Sequence, residues 1–421
     1  MEKEIIFTEK APRPLTHNPH AVKVGPYVFV SGLYATDFWM GIPVKGNPAF
    51  PFVGPTDIEL QTEYILQNLA AILEAAGSSL DRVVKTEVFL EHPRHLHDLD
   101  GVWRQFFPSD PPARTTIEVG PNLLIPGALV EVHAIAIATE GAIRKEVIRP
   151  PGVPVPTEHC SPAVKAGPFL FHSGLPATDF TTGIPVGKDP DFKYYRSNPE
   201  DQIEFVLANM ERCAQAAGTS LKHAVKSQHY HVDRNHFHDI DRVWKKYMPV
   251  PPPRSSMEVK GFMVPGALTT ANLITLIPDA QHQKEEVLFD QQFHPSVRAV
   301  NFSPAMRAGD WVFLAGQVAS DFKTPVFGVH PRMPYHGSDI EIQTEYVLRN
   351  LKRLLEHCGS SLDHVVNAHI YLLDTNDYRG FERVYRRMIP ADPPAMTVIP
   401  STGIMFEGPI IEIDFIAIMA R

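Results

Sequence analysis

The sequence repeats one short phrase three times at a constant interval. AAGSSL occupies residues 75–80, AAGTSL residues 216–221 and HCGSSL residues 357–362, so each phrase starts 141 residues after the one before. That interval is too long for a solenoid repeat, which runs to about 20–50 residues, and it matches a small domain with its own core. The chain is therefore one domain written three times. We place the three copies at residues 1–142, 143–282 and 283–421.

Composition places the chain among ordinary globular proteins and excludes several partners. Apolar residues make up 44% and charged residues 21% of the sequence. The net charge is −9 and no basic run is dense enough to follow a phosphate backbone, so we expect no nucleic-acid partner. Cys160, Cys213 and Cys358 form no paired framework. With no apolar stretch as long as a membrane span and no cleavable leader pattern, we expect a cytoplasmic protein without a membrane partner.

The first copy predicts the element order β-β-α-β-α-β-β. A turn signal at Gly25-Pro26 separates two short β-branched or aromatic runs and indicates a hairpin. The other predicted elements are helices at 57–76 and 96–107 and strands at 83–90, 114–119 and 128–138. Each helix has a single apolar stripe, so both must cover the same face of the sheet, which gives an α+β fold. We expect the three uncovered sheet faces to close around a shared axis as an intramolecular pseudo-trimer.

The segments between elements divide into linkers and loops. Residues 140–161 are rich in proline and residues 279–300 are polar, so both are predicted to be surface connections between copies. Residues 38–55, 180–199 and 322–337 differ most between the copies. We expect these loops to set specificity.

Four phrases of the first copy together resemble the reactive-intermediate deaminase family, also called the RidA or YjgF family. They are VFVSG (28–32), EAAGSSLDRVVKTEVFL (74–90), PPARTTIEV (111–119) and PGALVEVHAIA (126–136). The resemblance covers nearly all of the first copy and continues with losses through the other two. It implies chorismate-mutase-like domains that form homotrimers, with a ligand site in each cleft between subunits. In this chain the trimer would be covalent.

The resemblance also implies roles for particular residues. Arg114 would grip the carboxylate of a small imine, enamine or keto acid, and Glu131 would position the hydrolytic water. A guanidinium offers a planar fork to a carboxylate, and a carboxyl group can orient water and move its proton. Ser31 and Thr116 are further substrate-binding candidates. The chemistry implied needs no metal and no cofactor.

The second and third copies have each lost one of these groups. The second keeps Arg254 and Ser173 but has Thr270 where the first has Glu131. The third keeps Glu412 but has Met396 where the first has Arg114, and it has Ala315 in place of the serine. We include Arg254, Ser173 and Glu412 among the substrate-binding candidates.

Which residues share a cleft stays open at the level of sequence. If one copy supplies both groups, the complete site is Arg114 with Glu131. If neighbouring copies supply them, Arg114 pairs with Glu412, or Arg254 pairs with Glu131. In either case at most two of the three clefts are complete.

Structural roles are the alternative for each candidate. Arg114 would then bridge two domains through a carboxylate, Glu131 would face solvent, and Ser31 and Ser173 would be turn residues. In the second copy His229 and His231 replace apolar residues on one strand face, as either a structural pair in the inter-domain core or metal ligands.

These patterns predict a cofactor-independent hydrolytic deaminase of a small carboxylated imine or enamine, with its site in an inter-domain cleft. The alternative is a binding protein for a small keto or aromatic acid without turnover. A closed pseudo-trimer buries its main interfaces, so we expect a monomer or dimer of it.

Overall fold

The computed structural model describes residues 1–49, 52–184, 198–289, 301–320, 338–405 and 407–420. The first copy contains β1 (Lys3–Ile6), β2 (Ala21–Val24), β3 (Tyr27–Leu33), α1 (Asp57–Ala75), β4 (Val83–Leu90), α2 (Leu96–Phe106), β5 (Ala113–Glu118) and β6 (Val130–Ile137). The second contains β7 (Lys145–Ile148), β8 (Ala163–Ala166), β9 (Phe169–His172), α3 (Pro199–Ala216), β10 (Ala224–His231), α4 (Phe237–Tyr247), β11 (Arg254–Glu258), β12 (Gly261–Phe262) and β13 (Thr269–Leu276). The third contains β14 (Lys284–Val287), β15 (Ala305–Ala308), β16 (Trp311–Leu314), β17 (Gln317–Val318), α5 (Asp339–His357), β18 (Val365–Leu372), α6 (Tyr378–Met388), β19 (Ala395–Pro400), β20 (Gly403–Ile404) and β21 (Ile411–Ile418).

Each copy shows the predicted α+β order, with added strands that were not predicted: β1, β7 and β14 at the start of the copies and the two-residue strands β12, β17 and β20. β7 and β14 lie inside the two segments predicted to be linkers, so that prediction is wrong for these residues. Both strands have four residues, of which one glutamate is exposed, two residues are partly buried and the last is buried, and they pair antiparallel with β8 and β15 at the sheet edge. The end of the second linker, residues 290–300, lies outside the described residues, as do the loop 322–337 and most of the loop 180–199.

The first sheet has the strand order β1-β2-β3-β6-β4-β5, and the other two sheets repeat it. β5 runs parallel to β4, which requires the crossover through α2. The sheets also share strands across copies. β12 of the second copy pairs with β5 of the first, and β20 of the third pairs with β11 of the second.

The two helices of each copy cover one face of its sheet. In the first copy α1 begins at Thr56, whose hydroxyl accepts a hydrogen bond from the N–H of Glu59 while the Glu59 carboxylate accepts one from Thr56. The helix is followed by Gly77, whose φ of +71° favours glycine. Ile65 and Leu69 of its buried face pack in the core between sheet and helices.

The opposite faces of the three sheets pack against one another. At one end of this shared core the aromatic rings of the three copies meet, with ring centroids 5.8 Å apart for Tyr27 and Phe169, 5.4 Å for Tyr27 and Trp311, and 6.0 Å for Phe169 and Trp311. At the other end Phe89, Tyr230 and Tyr371 belong to a second shared cluster. None of the helices in the described part of the chain combines the length and apolar composition needed to cross a membrane.

Candidate functional site in the clefts between copies

The arginine and glutamate of a single copy lie on opposite faces of its sheet. Arg114 is opposite Thr86 in the parallel β4–β5 pair, and Glu131 is opposite Phe89 in the β4–β6 pair. Thr86 and Phe89 are three residues apart, and successive side chains of a strand point to opposite faces. Arg114 accordingly lies on the helix-covered face, with its guanidinium 5.0 Å from the Trp103 ring. A site built from Arg114 and Glu131 is therefore ruled out.

Each cleft instead joins the arginine strand of one copy to the next copy in the chain. The N–H of Arg114 donates to Oγ of Ser173 at 2.7 Å, which forms cleft A between copies one and two. The N–H of Gly316 donates to the carbonyl of Arg254 at 3.1 Å, which forms cleft B between copies two and three. The N–H of Met396 donates to Oγ of Ser31 at 3.2 Å, which forms cleft C between copies three and one.

The three copies thus form a ring in which the arginine strand of each copy meets the next copy, and that of the third copy meets the first. We call this order the ring direction. It determines which arginine and which glutamate share a cleft. Cleft B combines Arg254 with Glu412, cleft A has Arg114 without a glutamate on the last strand, and cleft C has Glu131 with Met396. The two neighbour pairings predicted from sequence, Arg114 with Glu412 and Arg254 with Glu131, are both wrong because they require the ring to run the other way. One cleft holds both groups, and it is a pair the sequence analysis did not name.

In cleft B the guanidinium of Arg254 is buried, and only some of its N–H groups form hydrogen bonds. Its Nη1 donates to Asp241 at 2.9 Å, and its carbon lies 4.6 Å from the ring of Phe237 and 6.0 Å from that of Phe302 in the third copy. Burial lowers the pKa of Arg254, and Asp241 partly offsets this effect. Among the described residues Nη2 is buried without a hydrogen-bond partner, and so is Oγ of Ser256 two residues along the strand. A buried donor of this kind is satisfied when a ligand carboxylate binds.

Glu412 supplies the acid of cleft B. Burial, helped by the charge of Asp414, raises the pKa of Glu412 to about 8, although the N–H of Ser256 and the charge of Arg254 act in the opposite direction. The carboxyl group is then mostly protonated at neutral pH and can donate a proton. It packs directly on Gly316, where a Cβ atom would lie 1.8 Å from Oε1 of Glu412. The glycine of the AGQ phrase is therefore required by the glutamate.

In cleft A the carboxylate of Glu158 binds the guanidinium of Arg114. Oε2 of Glu158, from the second copy, accepts hydrogen bonds from Nη2 and Nε of Arg114 at 3.0 and 3.3 Å and from Oγ1 of Thr116 at 2.7 Å. Nη2 of Arg114 also donates to Asp100 at 2.8 Å. Burial opposes the charge of Arg114, but Glu158 and Asp100 outweigh it and raise the pKa. Arg114 therefore bridges two domains, as the predicted structural alternative requires. Thr270, which replaces the glutamate in this cleft, donates a hydrogen bond to the carbonyl of Leu175.

Cleft C is a small cavity of about 40 Å³, and the described part of its lining has an acid and no arginine. The hydroxyl of Tyr34 donates to Oε2 of Glu131 at 2.7 Å, and burial raises the pKa of Glu131 to about 8. Asn18 and Met396 are also part of the lining, and no lysine or arginine contributes to the part of the wall that the structure describes. Glu131 is 1% exposed, so the solvent-facing alternative is wrong.

The remaining candidates have structural contacts. Oγ of Ser31 donates to the carbonyl of Pro19, and Oγ of Ser173 donates to that of Ser161, so both serines hold backbone at an interface. His229 lies under α4, with its ring centroid 4.0 Å from that of Trp244, rather than in the shared core as predicted. Within the described ranges His229 and His231 belong to no group of three metal-binding side chains.

The sequence analysis missed the carboxylates that anchor the arginines. Asp100 and Asp241 are 141 residues apart, in the phrases HDLD and HDID, and this recurrence was the available signal. Glu382 occupies the same position in the third copy. No carboxylate recurs at the position of Glu158, where the first copy has Thr16. Glu158 also lies in residues 140–161, which were predicted to be a linker.

Comparison with known proteins agrees with the repeat structure. The profile of the family described as endoribonuclease L-PSP matches residues 8–138, 153–269 and 294–419. A RutC family protein of Pyrococcus abyssi is 40% identical over 136 residues, which are 32% of this chain and 98% of that protein. The 3-aminoacrylate deaminase RutC of Acinetobacter baylyi is 34% identical over 136 residues, again 32% of this chain and 98% of that protein.

Among solved structures, RidA from the Antarctic bacterium Psychrobacter is 33% identical, with 32% of this chain and 98% of that chain covered and a TM-score of 0.27. The three matches of the family profile follow one another along the chain and cover most of it. The chain therefore belongs to this family, the RidA or YjgF family that its phrases resemble, and carries the family domain three times.

Proposed function

We propose that the protein is a hydrolytic deaminase of a small carboxylated imine or enamine and that cleft B is its working site. The observation that carries the proposal is the meeting of Arg254 and Glu412 in one cleft, with Nη2 of Arg254 buried and unpartnered. Two of the relatives are named as deaminases, of which one is a 3-aminoacrylate deaminase, and this supports the reaction class. The proposal replaces Arg114 and Glu131 by Arg254 and Glu412 as the acting pair.

The groups of cleft B suit each step of imine hydrolysis. The substrate carboxylate binds Nη2 of Arg254, which fixes the orientation of the C=N bond. The protonated carboxyl of Glu412 donates its proton to the imine nitrogen, and water adds to the carbon. Glu412, now a carboxylate, takes a proton from the added water, and the carbinolamine breaks down to a carbonyl compound and ammonia. General acid–base catalysis of this kind contributes about 10²–10⁴-fold to a rate.

The alternative function is binding of a small keto or aromatic acid without turnover. Phe302 of the third copy, whose ring lies 6.0 Å from the guanidinium carbon of Arg254, favours it, because an aromatic ring can stack on a flat or aromatic acid. The two functions differ in the role of Glu412, which only the deaminase needs for more than contact.

Ammonia release from freshly generated imines and enamines of small 2-amino acids tests the proposal. The wild type is compared with Glu412→Gln, and Glu131→Gln is the matched control in cleft C. We expect acceleration by the wild type, loss of at least about tenfold in Glu412→Gln and little change in the control. No acceleration over solution hydrolysis by the wild type would exclude the deaminase for these substrates. Equal activity of wild type and Glu412→Gln would exclude cleft B.

A further inference from the structure

A polar cluster lies inside the shared core, beside the last strands that carry Glu131 and Glu412. Glu87 and His133 of the first copy and His369 of the third are 1%, 1% and 4% exposed. Oε2 of Glu87 lies 3.0 Å from Nε2 of His369 and 3.1 Å from Nδ1 of His133. One ligand atom from each of the three residues lies within 4.8 Å of the others. In the described part of the chain this is the only group of three such side chains.

We propose that Glu87, His133 and His369 bind a divalent transition-metal ion, of the kind that imidazole and carboxylate ligands favour, such as Zn²⁺ or Co²⁺. Ligands about 2.0–2.1 Å from an ion lie roughly 3.3 Å apart across a tetrahedral angle, close to the two distances at Oε2 of Glu87. The ion would have a structural role, because it would join the first copy to the third. The expectation from sequence that the chemistry needs no metal is unaffected.

His133 provides a second observation. Its ring is buried, and among the described residues Nε2 has no hydrogen-bond partner, while Nδ1 lies 3.1 Å from Glu87 without good hydrogen-bond geometry. A buried polar atom left in this state is costly and calls for a partner. An ion held with Glu87 and His369 would supply that partner.

Neighbouring residues contact the three proposed ligands and fix their orientation, as the residues around the ligands do in known metal sites. Asp414 lies 3.4 Å from Nδ1 of His369, the ring nitrogen that faces away from Glu87. Nδ2 of Asn272, from the second copy, donates to the other oxygen of Glu87 at 2.8 Å. A carboxylate behind a ligating histidine, and a hydrogen bond to a ligating carboxylate, both fix ligand orientation.

Two lysines limit which ions the cluster can hold. Nζ of Lys85 lies 3.4 Å from Oε1 of Glu87, and Nζ of Lys226 lies 2.7 Å from Oδ1 of Asp414. Both neutralise carboxylate oxygens outside the proposed coordination and both repel a cation. The site must therefore rely on its two imidazoles, which favours zinc, cobalt or nickel over magnesium or calcium.

The location gives such an ion a structural consequence. Copies one and two, and copies two and three, are joined by the chain, whereas copies three and one meet without a direct link. Glu87 and His133 belong to the first copy and His369 to the third, so the ion would fasten the ring at that unlinked interface. Because the cluster is buried, we expect binding as the ring assembles and slow exchange afterwards.

Metal content after refolding tests the inference. The full-length protein is unfolded with a chelator, refolded with or without Co²⁺, desalted and analysed for bound metal, visible absorption and melting temperature. We expect about one ion per chain, cobalt absorption typical of nitrogen and oxygen ligands, and a higher melting temperature with cobalt.

Variants that borrow residues of the second copy serve as the test set. His133→Asn and Glu87→Gln introduce the residues found there as Asn272 and Gln228, and each should lower bound cobalt at least tenfold. His229→Val, which introduces the residue of Val88, should retain it. Should His133→Asn fail to refold, Glu87→Gln decides. Less than about one-tenth of an ion per refolded wild-type chain, or equal content in wild type and Glu87→Gln, would overturn the proposal.

Discussion

The carboxylate of Glu158 contacts the guanidinium of Arg114 as a bound acid would. Its Oε2 lies 3.0 Å from Nη2 and 3.3 Å from Nε of Arg114, and it also accepts the hydroxyl of Thr116. The second copy thus places its own carboxylate in the position of a ligand. Each arginine has one buried nitrogen without a hydrogen-bond partner among the described residues, Nη1 in Arg114 and Nη2 in Arg254, but only Arg114 also binds a carboxylate of the next copy.

Removing that carboxylate should open a second acid-binding cleft. Glu158→Thr introduces the residue that the first copy has as Thr16, and it leaves Arg114 paired with Asp100 alone. In calorimetric titration with pyruvate we expect about one acid per wild-type chain and about two per variant chain. Glu146→Gln, at an exposed glutamate, is the control. A folded variant that binds no more acid than the wild type would contradict the occupied state of cleft A.

The two arginines should respond differently to the same substitution. Arg254→Met, the residue of Met396, removes the carboxylate contact and should lower kcat/KM for the deaminase by at least about tenfold. Arg114→Met should leave kcat/KM nearly unchanged but lower the free energy of unfolding by roughly 3–5 kcal/mol, because it leaves the buried Glu158 carboxylate without a cation, whereas Asp100 keeps its pairing with Arg104. Steady-state kinetics and urea unfolding measure the two effects. The reverse pattern would place the reaction in cleft A.

Restoring the missing arginine should activate cleft C. In Met396→Arg the new guanidinium lies on the side of α6, where Glu382 occupies the position of Asp100 and Asp241, and it shares the cleft with Glu131. Combined with Glu412→Gln, which removes the acid of cleft B, the substitution should recover ammonia release. The single variant Glu412→Gln is the baseline. A double variant that binds pyruvate without recovering activity would show that Glu131 cannot replace Glu412.

The raised pKa of Glu412 predicts a pH dependence of both activity and stability. The protonated form is the acid, so activity should decrease as pH rises through about 8. The folded state also holds this proton at pH values where an exposed glutamate, with a pKa of about 4.3, has lost it. Stability should therefore fall between about pH 4 and 8 relative to Glu412→Gln. Urea unfolding of both proteins across this range checks the difference, and parallel curves would contradict it.

The sequence predicted the fold better than the site. The period, the apolar stripe that includes Ile65 and Leu69, and the Gly77 helix end predicted the two helices and five of the strands in each copy. The edge strands were missed because four residues with one buried position, such as Lys145–Ile148, give little hydrophobic pattern. Their stability comes from pairing with a neighbouring strand, which sequence does not show.

Prediction of the site requires two pieces of structural information that the sequence of a single copy does not provide. The first is that Arg114 and Glu131 lie on opposite faces of the sheet, which depends on the strand order around β4. The second is the direction of the ring, which depends on which sheet edge meets the next copy. The candidate residues lie along the contacts between copies, and their pairing could come only from the assembled chain.

The ring direction makes the order of copies along the chain a functional property. The glutamate lost from the second copy would have served cleft A, and the arginine lost from the third would have served cleft C, so both losses spare cleft B. With the same three domains in the order one, three, two, Arg114 would meet Glu412 and Arg254 would meet Glu131. Two clefts would then be complete instead of one. In a homotrimer all three clefts are identical. In the fused chain the position of a domain in the sequence determines its neighbour, and therefore which residues each cleft contains.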